Sequence, residues 1–178
     1  MKKNILLVLT GGVAIYKSLI LIRLLKKSNY DVKCVMTESA TKLINPHLFM
    51  SISGNIVRTD IFDNTTDKII HIELTRWADL VVIAPATANI IGKLANGIAD
   101  DLASTTLMAS NKDIMIAPAM NTQMWNSKAF QRNLKQIKED GMIIIEPDEG
   151  VLACGEEGKG KMEEPENIFN KIEEYFKK

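Results

Sequence analysis

Apolar residues in this chain gather into short runs that are hydrophobic at successive positions: Ile5–Leu9, Val32–Met36, Leu80–Ala84, Ile114–Ala117 and Met142–Ile145. Strands covered on both faces look like this, whereas half-exposed strands alternate. Between the runs the spacing turns helical. Tyr16–Lys27 sets Leu21, Leu24 and Leu25 on one side and Lys17, Arg23 and Lys27 elsewhere, and Ala99–Ala109 and Asn126–Asp140 repeat the pattern. Ile168–Phe176 closes the chain with a further helical stretch. Strand and helix in alternation predict an α/β fold, a doubly wound parallel sheet in three layers of the Rossmann or flavodoxin-like kind, with right-handed crossovers. At 178 residues the chain reads as one domain, residues 1–178.

Folds of this kind bind ligands at the carboxyl ends of their strands. Here those ends read Thr10-Gly11-Gly12-Val13, Met36-Thr37-Glu38-Ser39, Pro85-Ala86-Thr87-Ala88-Asn89, Pro118-Ala119-Met120-Asn121 and Pro147-Asp148. Gly, Ser, Thr and Asn at such places surround an anionic oxygen with backbone N–H groups and hydroxyls. Helix capping is the plainer reading of Thr37, Ser39 or Thr87 taken singly. Three successive ends of this composition favour one shared, phosphate-bearing ligand. A dinucleotide fingerprint needs three glycines, and only Gly11 and Gly12 follow the first strand; Glu38 alone does not supply the rest. Neither a nucleoside-triphosphate loop nor a hydrolase nucleophile elbow is present. A mononucleotide with one phosphate, such as FMN, fits a sheet of this size.

Charge and cysteine usage narrow the partners. Lys+Arg and Asp+Glu are 22 each, and no stretch gathers the basic residues that a nucleic acid or an anionic membrane surface calls for. Cys34 and Cys154 lie far apart, as do His47 and His71, so no metal-ligand spacing and no disulfide framework arises. Lys2-Lys3 followed by Ile5–Leu9 imitates a secretory signal, but Thr10-Gly11-Gly12 interrupts it and an amphipathic helix follows at once. With no apolar run near the roughly 18 residues that span a bilayer, the protein is read as cytoplasmic.

Four motifs in order carry a family resemblance. They are His71-Ile72-Glu73-Leu74-Thr75-Arg76-Trp77-Ala78-Asp79; Ala84-Pro85-Ala86-Thr87-Ala88-Asn89; Pro118-Ala119-Met120-Asn121-Thr122-Gln123-Met124-Trp125; and Ala153-Cys154-Gly155 with Gly158, Gly160 and Met162. Across essentially its whole length the chain resembles the homo-oligomeric flavin-containing cysteine decarboxylases, and among them the phosphopantothenoylcysteine decarboxylases of coenzyme A biosynthesis. Thr10 stands where that family carries serine, and Ile15 where it usually carries a smaller residue.

The resemblance implies FMN bound between subunits of a homo-oligomer, a trimer or a dodecamer of trimers, with cofactor contacts at Gly11, Gly12, Val13, Thr37, Glu38, Ser39, Thr87, Ala88, Asn89, Ile90 and Ala119. It implies conversion of 4'-phosphopantothenoylcysteine to 4'-phosphopantetheine. The cysteine C–S unit is oxidised, carbon dioxide leaves to give an enethiol, and the two electrons return. A plain cysteine carboxylate has no electron sink beside it, which is why a flavin is required. His71 matches the catalytic histidine, Asn121 the residue that recognises the substrate carboxylate, and Val151, Ala153 and Met162 substrate contacts. Cys154, in the glycine-rich stretch 150–162, matches the cysteine that delivers a proton when the enethiol is reduced. That stretch reads as a flexible lid over the substrate.

Plainer alternatives stand beside these roles. An isolated histidine is usually structural, Asn121 also suits a helix N-cap, Met120 and Met124 suit packing, Cys34 suits the core, and a cysteine in a glycine-rich loop can be incidental. Rival functions are a peptidyl-cysteine oxidative decarboxylase, which would not need the reducing Cys154; a flavin prenyltransferase, which lacks the His71 and Cys154 motifs; a non-catalytic flavin-binding or regulatory module; and an electron carrier.

Overall fold

The computed structural model describes residues 2–62, 68–153 and 155–177. Its main sheet is formed by β1 (Asn4–Leu9), β2 (Asp31–Met36), β3 (Leu80–Ala86), β4 (Ile114–Pro118) and β5 (Ile143–Ile144), all parallel, in the order β2-β1-β3-β4-β5. This is the flavodoxin-like order, with its switch point between β1 and β3. The expected α/β doubly wound class is therefore the observed one.

Strand periodicity sorts the core into two layers. Ile5, Leu7 and Leu9 of β1 and Leu80, Val82 and Ala84 of β3 face one way, against Leu21, Ile22 and Leu25 of α1 (Ile15–Lys27) and Phe49 of α3 (Pro46–Ser53). Ile168 and Ile172 of α9 (Pro165–Phe176) complete that layer. Leu6 and Val8 of β1 with Val81 and Ile83 of β3 face the other way. They meet α4 (Ile70–Trp77), α5 (Ala88–Ala95), α6 (Leu102–Met108) and α8 (Lys128–Glu139). Two buried faces explain the unbroken apolar runs. Ala86 packs in the second layer with Val81 and Ile83 although its parity matches Leu80, and the β3·β4 register shifts between Ile83 and Ala86.

Several boundaries differ from the sequence reading for local reasons. The helix expected from Ala99 begins at Leu102, because the Asp101 carboxylate accepts from the Ser104 N–H and closes a capping box. The one expected from Asn126 begins at Lys128, because Ser127 caps α8 through the Phe130 N–H, and a short α7 (Thr122–Asn126) precedes it. Helices α2 (Glu38–Leu43), α3, α4 and α5 are additional elements. The glycine-rich stretch expected to be a flexible lid is largely an antiparallel hairpin, β6 (Asp148–Val151) with β7 (Glu157–Lys161). Cys154 lies outside the described residues. Ile15 is a core residue at the first turn of α1. Among the described residues no helix is long and apolar enough to cross a membrane.

One polar link fastens this hairpin to the main body. The buried Lys17 ammonium on α1 donates to the Met162 carbonyl (3.0 Å) and to Glu164 Oε1 (2.8 Å). Lys17 holds the Glu164 carboxyl below the usual glutamate range. A depressed carboxyl pKa adds stability that is present above the ordinary glutamate value and lost as pH falls through the folded one. Lys17→Met should lower stability by about 1–3 kcal/mol near neutral pH. In urea unfolding the gap between variant and parent should narrow as pH is lowered into the carboxylate range; a gap independent of pH would contradict the ion pair's role.

Candidate active site

The carboxyl ends of β1, β2, β3 and β4 converge on one edge of the sheet. After β1 the chain turns at Gly11-Gly12, with Gly12 N–H donating back to the Thr10 carbonyl (2.8 Å) and Ile15 N–H to the Gly12 carbonyl (3.0 Å). A Cβ on Gly11 would overlap Ser39, and one on Gly12 would lie 3.4 Å from the Pro85 ring. The turns after β1, β2 and β3 therefore touch through glycine, which a side chain would wedge apart. Val13 projects from this turn and is 64% exposed.

Capping separates the hydroxyls of the neighbouring turns. Thr37 is the N-cap of α2 and accepts from the Ala40 N–H at 3.3 Å. Thr87 is the N-cap of α5, yet its side chain makes no capping bond. The first-turn N–H groups of Ala88, Asn89 and Ile90 have no intrahelical acceptor by helix geometry. Ile90 is buried and offers only its backbone, while Asn89 is exposed. Ala119 gives its N–H to the Ala86 carbonyl (2.9 Å). Ser39 and Glu38 are exposed, and Glu38 pairs with Lys42 at 2.7 Å, which holds its carboxyl below the usual range.

His71 stands in the first turn of α4 and is half-buried. Among the described residues its Nδ1 and Thr122 Oγ1 are the buried side-chain nitrogen and oxygen atoms without a hydrogen-bond partner. Buried polar atoms are normally paired, so an orphaned one is a candidate contact for a ligand. Asn121 caps α7, its Oδ1 accepting from the Met124 N–H at 2.8 Å, which leaves both amide hydrogens free to donate. The capping alternative for Asn121 is thus realised, and is compatible with binding.

The β6·β7 hairpin is seated directly on the segment after β4. Met120 N–H donates to the Gly160 carbonyl (3.0 Å). A Cβ on Gly160 (φ +132°) would collide with the Met120 carbonyl, and one on Gly158 with Thr122. Glycine permits this close seating, which the sequence reading took for looseness. Val151 and Ala153 lie exposed at the far end of the hairpin, whereas Met162 follows its base and is 1% exposed in the core. The three expected substrate contacts are not brought together; Met162 is enclosed in the core, and Lys17 holds its carbonyl. Met120 is half-buried against the core and Met124 exposed. His47 is exposed on α3. Cys34 is fully buried in β2, and desolvation pushes its thiol up to about 12, an inert state.

A family model described as flavoprotein matches residues 1–177. The chain belongs to the flavoprotein family. It is 48% identical over 175 residues to the coenzyme A biosynthesis bifunctional protein CoaBC of Bacillus subtilis (strain 168), covering 98% of this chain and 43% of that protein. The chain thus spans less than half the length of this curated relative. Among solved structures, a PPC decarboxylase mutant complexed with pantothenoylaminoethenethiol superposes with a TM-score of 0.88 at 32% identity, covering 100% of both chains. The FMN binding protein AtHal3 gives 0.85 at 33%, covering 99% of this chain and 98% of that one.

Capping and ligand binding can be told apart by stability. Thr37→Ala should cost about 1 kcal/mol in urea unfolding of the apo-protein, since it removes a cap. Thr87→Ala should stay within about 0.5 kcal/mol, as at surface positions without a bond. An equal loss for both would assign Thr87 a capping role.

Proposed function

We propose that this flavoprotein binds FMN and decarboxylates 4'-phosphopantothenoylcysteine to 4'-phosphopantetheine. The observation that carries the reading is the orphaned Nδ1 of His71, buried in a full-length fold match to a PPC decarboxylase. The site fits FMN in its own terms. Gly11 and Gly12 let the turns after β1, β2 and β3 close on one another where a Cβ would wedge them apart, and Val13 projects beside them; Thr37, Glu38, Ser39, Thr87, Ala88, Asn89, Ile90 and Ala119 supply hydroxyls, amides and walls around the cradle. FMN, when bound, supplies a two-electron acceptor and donor for the cysteine C–S unit.

The chain's own residues divide the remaining work. Asn121, its carbonyl oxygen tied to Met124, directs its amide N–H groups at the substrate carboxylate. The His71 imidazole moves the proton that oxidation releases. Val151 and Ala153, exposed at the far end of the hairpin, cover the substrate and exclude water, while Met162 anchors the hairpin's base in the core. Cys154 is the proton donor that accompanies reduction of the enethiol, since a thiol is far more acidic than a hydroxyl.

We also infer a homo-oligomer, a trimer or a dodecamer of trimers, with FMN between subunits. Val13, Tyr16 and Ile20 form an exposed apolar stripe beside the cradle, a face that a second copy would cover. Light scattering on the yellow holo-protein should give a multiple of three chains, and a fully active monomer would refute this. A cytoplasmic setting is part of the same proposal; the apolar residues of the signal-like opening are the buried interior strand β1.

Mass spectrometry of products from the purified protein, His71→Asn and Cys154→Ser tests the function. The parent should yield phosphopantetheine. His71→Asn should keep FMN but release no carbon dioxide. Cys154→Ser should release one equivalent per flavin and yield a product lacking two hydrogens. Undiminished phosphopantetheine from Cys154→Ser would remove the reductive role, and no reaction with the parent would sink the proposal.

A further inference from the structure

We propose that Thr10 and Ser18 are positioning residues for FMN, acting through the turn at the end of β3 and not by touching the cofactor. This deepens the reading of the strand ends as an FMN cradle and rests on it. Ala84 and Pro85 have no paired Cα partner on either neighbouring strand: pairing with β1 ends at Val8↔Ile83, and pairing with β4 skips from Ile83 to Ala86. Both residues are buried, so their carbonyls need donor partners from elsewhere. Two side chains supply them. Ser18 Oγ–H donates to the Ala84 carbonyl at 2.7 Å, and Thr10 Oγ1–H donates to the Pro85 carbonyl at 2.7 Å.

Thr10 does more than satisfy a carbonyl. Its oxygen also accepts from the Thr87 N–H at 3.1 Å. One hydroxyl therefore ties the β1 turn, immediately before Gly11, to both sides of the β3 turn, immediately before Ala88. These are the two walls of the cradle. With its single hydrogen donated and 1% of its surface exposed, Thr10 has no O–H left for a ligand. Thr87, its own N–H committed to Thr10, offers its uncapped hydroxyl and the amides that follow. Ser18 is fully buried one helical turn into α1, where no cofactor atom reaches.

The experiment is fluorescence titration of the apo-proteins with FMN. Thr10→Val keeps the shape and removes the hydroxyl, leaving the Pro85 carbonyl and Thr87 N–H without partners. Its Kd for FMN should rise about 10-fold or more, as losing roughly 1.4 kcal/mol implies. Thr10→Ser should restore binding to within about 3-fold, because the hydroxyl returns. Ser18→Ala should weaken FMN in the same direction, and the double variant should fall short of the product of the two effects. Leu134→Ala, a core truncation on α8, controls for lost stability: it should destabilise comparably and leave the Kd unchanged. Parental Kd in folded Ser18→Ala would make Thr10 a direct ligand or a bystander and overturn the proposal, even if Thr10→Val does not fold. If the parent itself takes up no FMN, the cradle reading fails first, a result distinguishable from a variant that binds normally.

Discussion

A strand that ends at a binding site leaves the sheet ladder, and its buried N–H and C=O groups must still be paired. Much of the architecture around this site answers that demand. Thr37 N–H donates to the Leu9 carbonyl, Gly12 N–H to that of Thr10, Ala119 N–H to that of Ala86, and Met120 N–H to that of Gly160. Where β3 loses register, hydroxyls from the turn after β1 and from α1 take the carbonyls that no strand pairs. The turns are thereby fixed to one another before any ligand arrives, so less ordering is left for binding to supply.

Close approach is the second condition, and glycine meets it twice in different ways. Gly11 and Gly12 let three turns touch on the cradle side. Gly158 and Gly160 let a hairpin lie flat on the segment between β4 and α7 on the other. The Lys17 ammonium links the two regions, standing on the helix that leaves the cradle and holding the chain just past the hairpin. Taking that ammonium out of water is tolerable because a carboxylate and a carbonyl both meet it.

Electrostatics elsewhere is mostly local. Lys93 bridges Asp100 and Asp101 ahead of α6, and Glu146 gathers Lys138 and Lys159 at the hairpin's base. Each group trims a helix end or a loop, in keeping with the modest worth of exposed pairs. The functional edge instead relies on amides, hydroxyls and one half-buried imidazole, which suits a phosphate-bearing, carboxylate-bearing pair of ligands.

The amino-acid order alone determined the parallel sheet, because strands buried on both faces must be apolar at successive positions, as Ile5–Leu9 and Leu80–Ile83 are. It also determined where ligands are sought, because strand ends rich in glycine and hydroxyls mark that edge, and its motifs carried the family resemblance. The short helices between Glu38 and Trp77 were not legible, since segments this brief are held by capping and tertiary packing more than by periodicity. Nor was the hairpin: glycine in 150–162 signals freedom in the unfolded chain, and only the seat provided by Met120 and Thr122 shows that it serves close approach. Tertiary structure alone separated Thr37, whose side chain caps its helix, from Thr87, an N-cap residue whose side chain makes no capping bond, and put Met162 in the core though Val151 is exposed. It alone revealed Thr10 and Ser18, whose partners lie 75 and 66 residues away. A hydroxyl's role depends on which carbonyl the fold leaves unpaired beside it, and no local pattern of residues encodes that.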